Sequence, residues 1–186
     1  MKRYLLSTAF AATLLGSCTL SLASETVNLN YEYSGKTGVS LSAISGGPLT
    51  VNAFTDGRSG SDANDIQRPG KEPLTLSNQT AASLLQSAFT QAFEASGAQL
   101  GDTDSPIALD GKLVEVQVQE TAQGLETLIR VELTLRNQGR NTWQSVVFSK
   151  ADSDSPDIAA AIEQGLNRLV TELFRDDYFL MALGIF

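Results

Sequence analysis

Histidine is absent from this 186-residue chain, and cysteine occurs once, at Cys18. Without histidine there is no Ser-His-Asp or Cys-His nucleophile pair, and no imidazole ligand for zinc or non-haem iron. A single cysteine excludes any intramolecular disulfide. Basic residues are scarce too, with 13 Lys and Arg against 21 Asp and Glu, a net charge of −8. A chain of that balance is a poor partner for nucleic acid or anionic lipid surfaces. The dinucleotide and phosphate-binding glycine motifs and the Cys-x-x-Cys pair are also missing, and no internal repeat is visible. No cofactor is implied. What remains for catalysis is carboxylate, lysine or tyrosine chemistry.

The apolar run Leu5 to Gly16 is twelve residues long and follows the positive Lys2 and Arg3. That is a secretory leader, too short to span a bilayer as a helix. The chain is therefore expected to be exported, and two processing sites compete. Ser21-Leu22-Ala23 fits cleavage before Ser24, whereas Leu15-Gly16-Ser17-Cys18 fits a lipobox, in which cleavage frees Cys18 for acylation. The lipobox is favoured, because a lone thiol is otherwise an odd residue to keep in an oxidising compartment. Thr19, where sorting to the inner membrane would have Asp, points to the outer membrane, on its periplasmic side. Use of the Ala23 site would leave a soluble periplasmic or secreted protein. Loss of Lys2 and Arg3 leaves 11 basic and 21 acidic residues, a net charge of −10. The expected organisation is a signal peptide over 1–17 (to 23 with the alternative site), an N-terminal tether or edge strand over 18–38, and one domain over 39–186.

In that mature chain, "VNLNYEY" (27–33) has the alternation of a half-buried strand. "VSLSAI" (39–44) is a second possible strand, and "LTVNAF" (49–54) a clearer one. Thr55 to Leu76, rich in Asp, Ser, Gly and Pro, reads as a long irregular loop. Ser77 is the expected N-cap of a helix carrying Leu84, Leu85, Phe89 and Phe93 on one face and stopped by Gly97. "LVEVQVQ", "LIRVELTL" and "TWQSVVFS" follow as three strands joined by short glycine-containing turns, an antiparallel meander with Val114, Val116 and Val118 sharing a face. "SPD" opens a last long helix, with Ser155 capping and Pro156 at its first position. The apolar tail "YFLMALGIF" is expected to pack back on the domain. The fold class is thus α+β: an antiparallel sheet with two amphipathic helices on one face, in the order β-α-β-β-β-α.

The leader with its cysteine is followed, from about Leu49 to Phe174, by a strand entering Phe54-Thr55-Asp56-Gly57-Arg58, the irregular loop, a helix ending in glycine, "LDGKLVEVQV", a meander and a helix. On these features the chain resembles the YajG-like family of bacterial envelope lipoproteins. The resemblance implies an envelope address and little chemistry. By element order alone the chain is also similar to small auxiliary lipoproteins of envelope transport systems.

Cys18 is accordingly the expected lipidation site. Asp56 and Arg58 stand at a strand end, where they would either contact a ligand or partner or pair with each other to tie down the loop mouth. Asp62 and Asp65 join them as candidate contacts. Asp56, Asp62 and Asp65 lack the spacing of a calcium loop, so no metal is expected. The leading functional expectation is a non-enzymatic envelope lipoprotein, a binding or accessory module held to the membrane by its N-terminal lipid and working on an envelope protein partner. One alternative is an auxiliary component of lipid or polymer transport, which requires an apolar groove. Another is a cell-wall hydrolase built on paired acids from Asp110, Glu115, Glu120, Glu126 and Glu132, with Trp143 as a sugar platform.

Overall fold

A computed structural model describes residues 25–185. The leader and Cys18 lie outside the described residues. In chain order the elements are β1 (Thr26–Val27), β2 (Leu49–Val51), β3 (Thr55–Asp56), β4 (Asp65–Ile66), β5 (Leu74–Leu76), α1 (Ala81–Ala95), β6 (Ile107–Thr121), β7 (Gly124–Asn137), β8 (Arg140–Ser153), α2 (Ile158–Leu173) and α3 (Asp177–Ala182).

The three long strands β6, β7 and β8 form the expected antiparallel meander. Each turn has two residues. The second, Gln138-Gly139, has φ of 49° and 78°, the left-handed pair that matches the twist of the flanking strands. The sheet as a whole is mixed, because β2 and β3 both lie parallel to β6 on its outer edge. The reason is the intervening helix: α1 carries the chain back along the sheet before β6 begins, and such a crossover returns a strand parallel to the one it left.

In β6 a bulge between Leu113 and Glu115 switches the face alternation. Leu109 and Leu113 are buried before it and Val116 and Val118 after it. Val114, expected to share the Val116 face, is the unpaired bulge residue and only half-buried. Helices α1 and α2 cover the same face of the sheet, and the other face is open and charged. The cap of α1 is Thr80, whose hydroxyl accepts from Ser83 N at 3.1 Å in a capping box. Ser77 lies three positions before that cap, where the chain is still extended and its N–H donates to Val27 O of β1 at 3.1 Å. Similarly Asp157 caps α2, accepting from Ala159 N at 3.0 Å, while Ser155 accepts from Asp157 N one step outside the helix. Gly165 lets α2 settle close to the sheet: a Cβ there would stand 2.6 Å from Thr127 Cγ2. Thr127 and Ser149 in turn donate their hydroxyls to Ala161 O and Gly165 O at 2.9 and 3.0 Å.

The stretch read as one loop, Thr55 to Leu76, contains three short strands. Its β4 and β5 join β1 in a small second sheet, β1-β5-β4. "VNLNYEY" is a strand only at its start, yet its alternation is real, since Leu29 and Tyr31 are buried in the core. Two amides of α1 and its approach hold this extended segment: Gln79 Nε2 donates to Leu29 O at 2.7 Å, and Gln91 bonds both Tyr31 O and Tyr33 N. "VSLSAI" forms no strand; it turns, with Leu41 N bonded to Ser96 O at the end of α1. The C-terminal tail supplies α3, which places Phe179 and Leu183 in the same core.

Candidate functional site

The short strand β3 ends at Asp56, and Gly57 then passes so close to Lys112 and Leu113 that a Cβ would meet Leu113 O at 3.0 Å. This turn aims Arg58 back under the loop that follows. Its side chain is only 3% exposed. The guanidinium grips the Asp56 carboxylate side-on, Nε to Oδ1 at 2.9 Å and Nη2 to Oδ2 at 2.6 Å. On its far side it donates to Asp62 O at 3.2 Å, to Ala63 O at 3.3 Å and, more closely, to Asp65 O. Five fixed donors in a plane suit this task, which a lysine cannot reproduce.

Asp56 also accepts from its neighbour's backbone, Arg58 N, at 3.0 Å. The hydrogen bonds from the Arg58 side chain hold the Asp56 carboxyl below its ordinary range, against a smaller opposing effect of burial. Asp65 turns its carboxylate to Thr75 Oγ1 at 3.0 Å, stitching β4 to β5. Asp62 contributes its carbonyl and leaves its carboxylate exposed. All four candidate residues are therefore brought to one loop mouth, but their carboxylates do not converge. Among the described residues no group of three or more Asp, Glu, His or Cys side chains is placed to hold a metal ion. Beside Arg58, an open depression of about 290 Å³ is lined by Ser59, Ser61, Gln67, Val116 and Gln117.

The rest of the loop leans on the start of the described chain. Thr75 N donates to Glu25 O at 2.9 Å, and Arg68 Nη1 meets the Glu25 carboxylate at 2.7 Å. Lys71 meets Glu120 at 2.6 Å and lowers that carboxyl's pKa. Between these pairs lies a cavity of about 270 Å³ floored by Pro69, Val118, Leu125 and Ile158, with both rim cations already partnered. Sequence reasoning missed Glu25, Arg68 and Lys71. The spacing of charges along a chain carries no signal for pairs 43 and 49 residues apart.

The acidic pool considered for hydrolysis is dispersed over the strands, each member beside its own cation. Glu132 lies 3.5 Å from Lys112, Glu115 3.8 Å from Arg130 and Glu126 2.5 Å from Lys150, and Asp110 pairs with Arg136. Glu120 and Glu126 are held below the ordinary carboxyl range by hydrogen bonds from their lysines. A general acid requires the opposite shift. Trp143 is half-buried against Phe179, ring centroids 5.0 Å apart, and belongs to the core margin. The groove between α2 and β8, about 480 Å³, is lined by polar side chains including Lys150, Asp152, Gln164 and Asn167, not by the apolar surface an acyl chain needs. No described helix is long and apolar enough to cross a membrane.

No family model matches the sequence, and no curated protein does. Solved structures do match it. The protein XCC0632 of Xanthomonas campestris, of family DUF330, superposes with a TM-score of 0.62 at 20% identity, over 80% of this chain and 92% of its own. The hypothetical protein CT253 of Chlamydia trachomatis gives 0.49 at 8% identity over 74% and 96%, and the lipoprotein GNA1162 of Neisseria meningitidis gives 0.38 at 9% identity over 61% and 89%. At these identities the likeness to XCC0632 is one of fold.

Proposed function

We propose that this protein is a non-enzymatic, YajG-like lipoprotein of the bacterial envelope, acylated at Cys18, that presents the Arg58-fixed loop as a binding surface close to its membrane anchor. The observation that carries the reading is the point where the chain enters the fold. Glu25 is hydrogen-bonded to β5 and ion-paired to Arg68, so the chain joins the domain against the loop itself. Glu25 follows Cys18 by seven positions, and fully extended that stretch spans at most ~25 Å. A lipid on Cys18 thus keeps the loop end of the domain within that distance of the bilayer. Arg58 serves the site from inside: with its donors engaged by Asp56 and the loop carbonyls, it fixes the shape that a partner in the envelope meets. The exposed side of the mouth, with Asp62, Ser59, Ser61 and Gln67, is the contact surface.

The test is the intact mass of the protein recovered from membranes and from the soluble fraction, with Cys18→Ser alongside. Lipid mass on an N-terminal Cys18, lost together with membrane association in the variant, is the expected result. A mature chain that begins at Ser24 in the soluble fraction would overturn the anchor. For the surface, Asp62→Lys and Gln67→Glu are expected to reduce capture of the envelope partner without lowering the melting temperature. Unchanged capture in both would move the contact away from the loop.

A further inference from the structure

The long strand β8 is paired on one side only, and its free side is built to accept another strand. The two-residue turn at Gln138-Gly139 makes Asn137 and Arg140 the closing pair of the hairpin, which exchanges both backbone hydrogen bonds. Counting back along β7, its odd-numbered residues face β8. A bulge then offsets β8, so that Leu135 meets Trp143 and Leu133 meets Ser145. From Trp143 onward the odd residues of β8 therefore bond to β7, and the N–H and C=O of Gln144, Val146, Phe148, Lys150 and Asp152 point away from it. An independent contact agrees: Gln164 Nε2 donates to Asp152 O at 2.9 Å, so that carbonyl is on the free side. The carbonyls and amides of Gln144, Val146, Phe148 and Lys150 are the open part of the edge.

Two of the four side chains at those positions, Val146 and Phe148, are apolar where an edge strand is usually guarded. Val146 is 53% and Phe148 44% exposed, two of the four exposed large hydrophobic residues in the described chain. Edge strands are normally protected by proline, bulges or unpaired lysines. Here the bulge sits at one end, there is no proline, and the one lysine, Lys150, is neutralised by Glu126 at 2.5 Å.

We propose that β8 is a self-association edge: a second copy of this chain adds its own β8 antiparallel to the first, about a two-fold axis at Val147. The register follows from the residues. With the axis at Val147, Val146 faces Phe148 of the other copy in both halves, and Lys150 faces Gln144. An axis at Val146 sets Phe148 against Gln144, and one at Phe148 sets Val146 against Lys150. Only the Val147 register covers both apolar side chains with each other, the aromatic to β-branched pairing that stabilises neighbouring strands, and it opposes no like charges. The two-fold also places both α2 helices on the same face of one continuous sheet. The open edge from Gln144 to Lys150 is seven residues at ~3.4 Å each and, with a sheet and helix layer roughly 20 Å deep, gives a contact near ~480 Å² per copy, below the ~800 Å² of a standard stable interface and in the range of weak, reversible association.

The proposal holds whether or not Cys18 is acylated, so its failure is separable from that of the anchored module. Sedimentation equilibrium of the full mature protein is expected to show a monomer–dimer equilibrium in the micromolar range. Val146→Lys and Phe148→Glu, both at exposed positions, are each expected to weaken it at least tenfold with the melting temperature kept. The double variant is expected to recover association, because the two introduced charges are of opposite sign and face each other between the copies. In an otherwise native chain carrying Cys18→Ser, Val147→Cys is expected to cross-link to itself on oxidation, since facing residues of a non-hydrogen-bonded pair stand ~4.5 Å apart at Cα, within disulfide reach. A monomer throughout that range, whether or not it captures an unrelated strand, overturns the proposal. So does a dimer indifferent to both single substitutions, or one in which Val147→Cys does not cross-link.

Discussion

Replacing Arg58 is the sharpest perturbation of the loop mouth. Arg58→Ala deletes the side-on grip on Asp56 and the donors to the carbonyls of Asp62, Ala63 and Asp65. Single hydrogen bonds to charged groups contribute ~1.5 to 3 kcal/mol, and bonds sharing one guanidinium do not add. The Asp56 side chain is 22% exposed, so the orphaned carboxylate regains some water. The expected loss is about 2 to 3 kcal/mol, or roughly 4 to 12 °C in melting temperature at this chain length. Arg58→Lys keeps the charge but not the planar fork and is expected to recover less than half of that. Trypsin provides the local readout, with faster cleavage after Lys71 in both variants. The pH dependence supplies a further check. Because Arg58 holds the folded-state pKa of Asp56 below its ordinary 3.8, the contribution of the pair is complete above that value. It is lost as pH falls through the lower folded value. The acid limb of the parent's stability profile should therefore be steeper than that of Arg58→Ala. Melting curves and cleavage rates of both variants matching the parent would refute the assignment of Arg58 as the organiser of the loop.

Gly165→Ala forces a methyl to within 2.6 Å of the fully buried Thr127 and is expected to cost about 1 to 3 kcal/mol, read by denaturant unfolding; an unchanged midpoint would mean that α2 does not sit so close to the sheet. Phe179→Ala removes the ring 5.0 Å from Trp143. The expected result is a red-shifted emission from this only tryptophan together with a loss of about 3 to 5 kcal/mol, and emission unchanged at that loss would place Trp143 elsewhere. Deleting residues 25–38 takes Leu29 and Tyr31 out of the core. At ~1.5 to 3 kcal/mol per buried apolar side chain, the shortened chain should melt at least several degrees lower, and equal melting would make that segment a mere tether.

The meander and both long helices were legible because their patterns repeat: α1 and α2 repeat their apolar residues over several turns, β7 alternates from Thr127 to Leu135, and β6 alternates on each side of its bulge. What escaped was decided between distant segments. The three short strands between Thr55 and Leu76 hold two or three residues each, too few for a period to register, and exist because β1 and β6 offer them edges. The caps were misplaced by a few residues since Ser77 and Ser155 are equally good caps in isolation; the pairing of β5 with β1, which Ser77 N extends to Val27 O, keeps the chain extended past Ser77 and delays the first helix to Ala81. The loop mouth was half legible. Asp56 and Arg58 were visible as a pair, whereas the carbonyls that Arg58 gathers belong to backbone and have no sequence signature. Val146 and Phe148 blurred the pattern of the third strand for a physical reason, as β8 carries apolar residues on both faces.

The two proposed surfaces lie at opposite edges of the sheet. The small sheet β1-β5-β4 touches the large one through β6, where Gln67 bridges to Gln117, so the point at which the N-terminal segment enters and the Arg58 loop lie on the β6 side. Strand β8 is the opposite edge, separated from β6 by β7, about 10 Å across the strands. An anchor on the first side leaves the second unobstructed, and pairing through β8 covers none of the residues around Arg58. Two copies joined by a two-fold perpendicular to the sheet would carry their loops at the outer ends of one continuous sheet. A partner bridging both loops would then gain from their fixed spacing without any new contact. Loss of the β8 contact should therefore weaken capture by a divalent partner while leaving the affinity of a single loop unchanged.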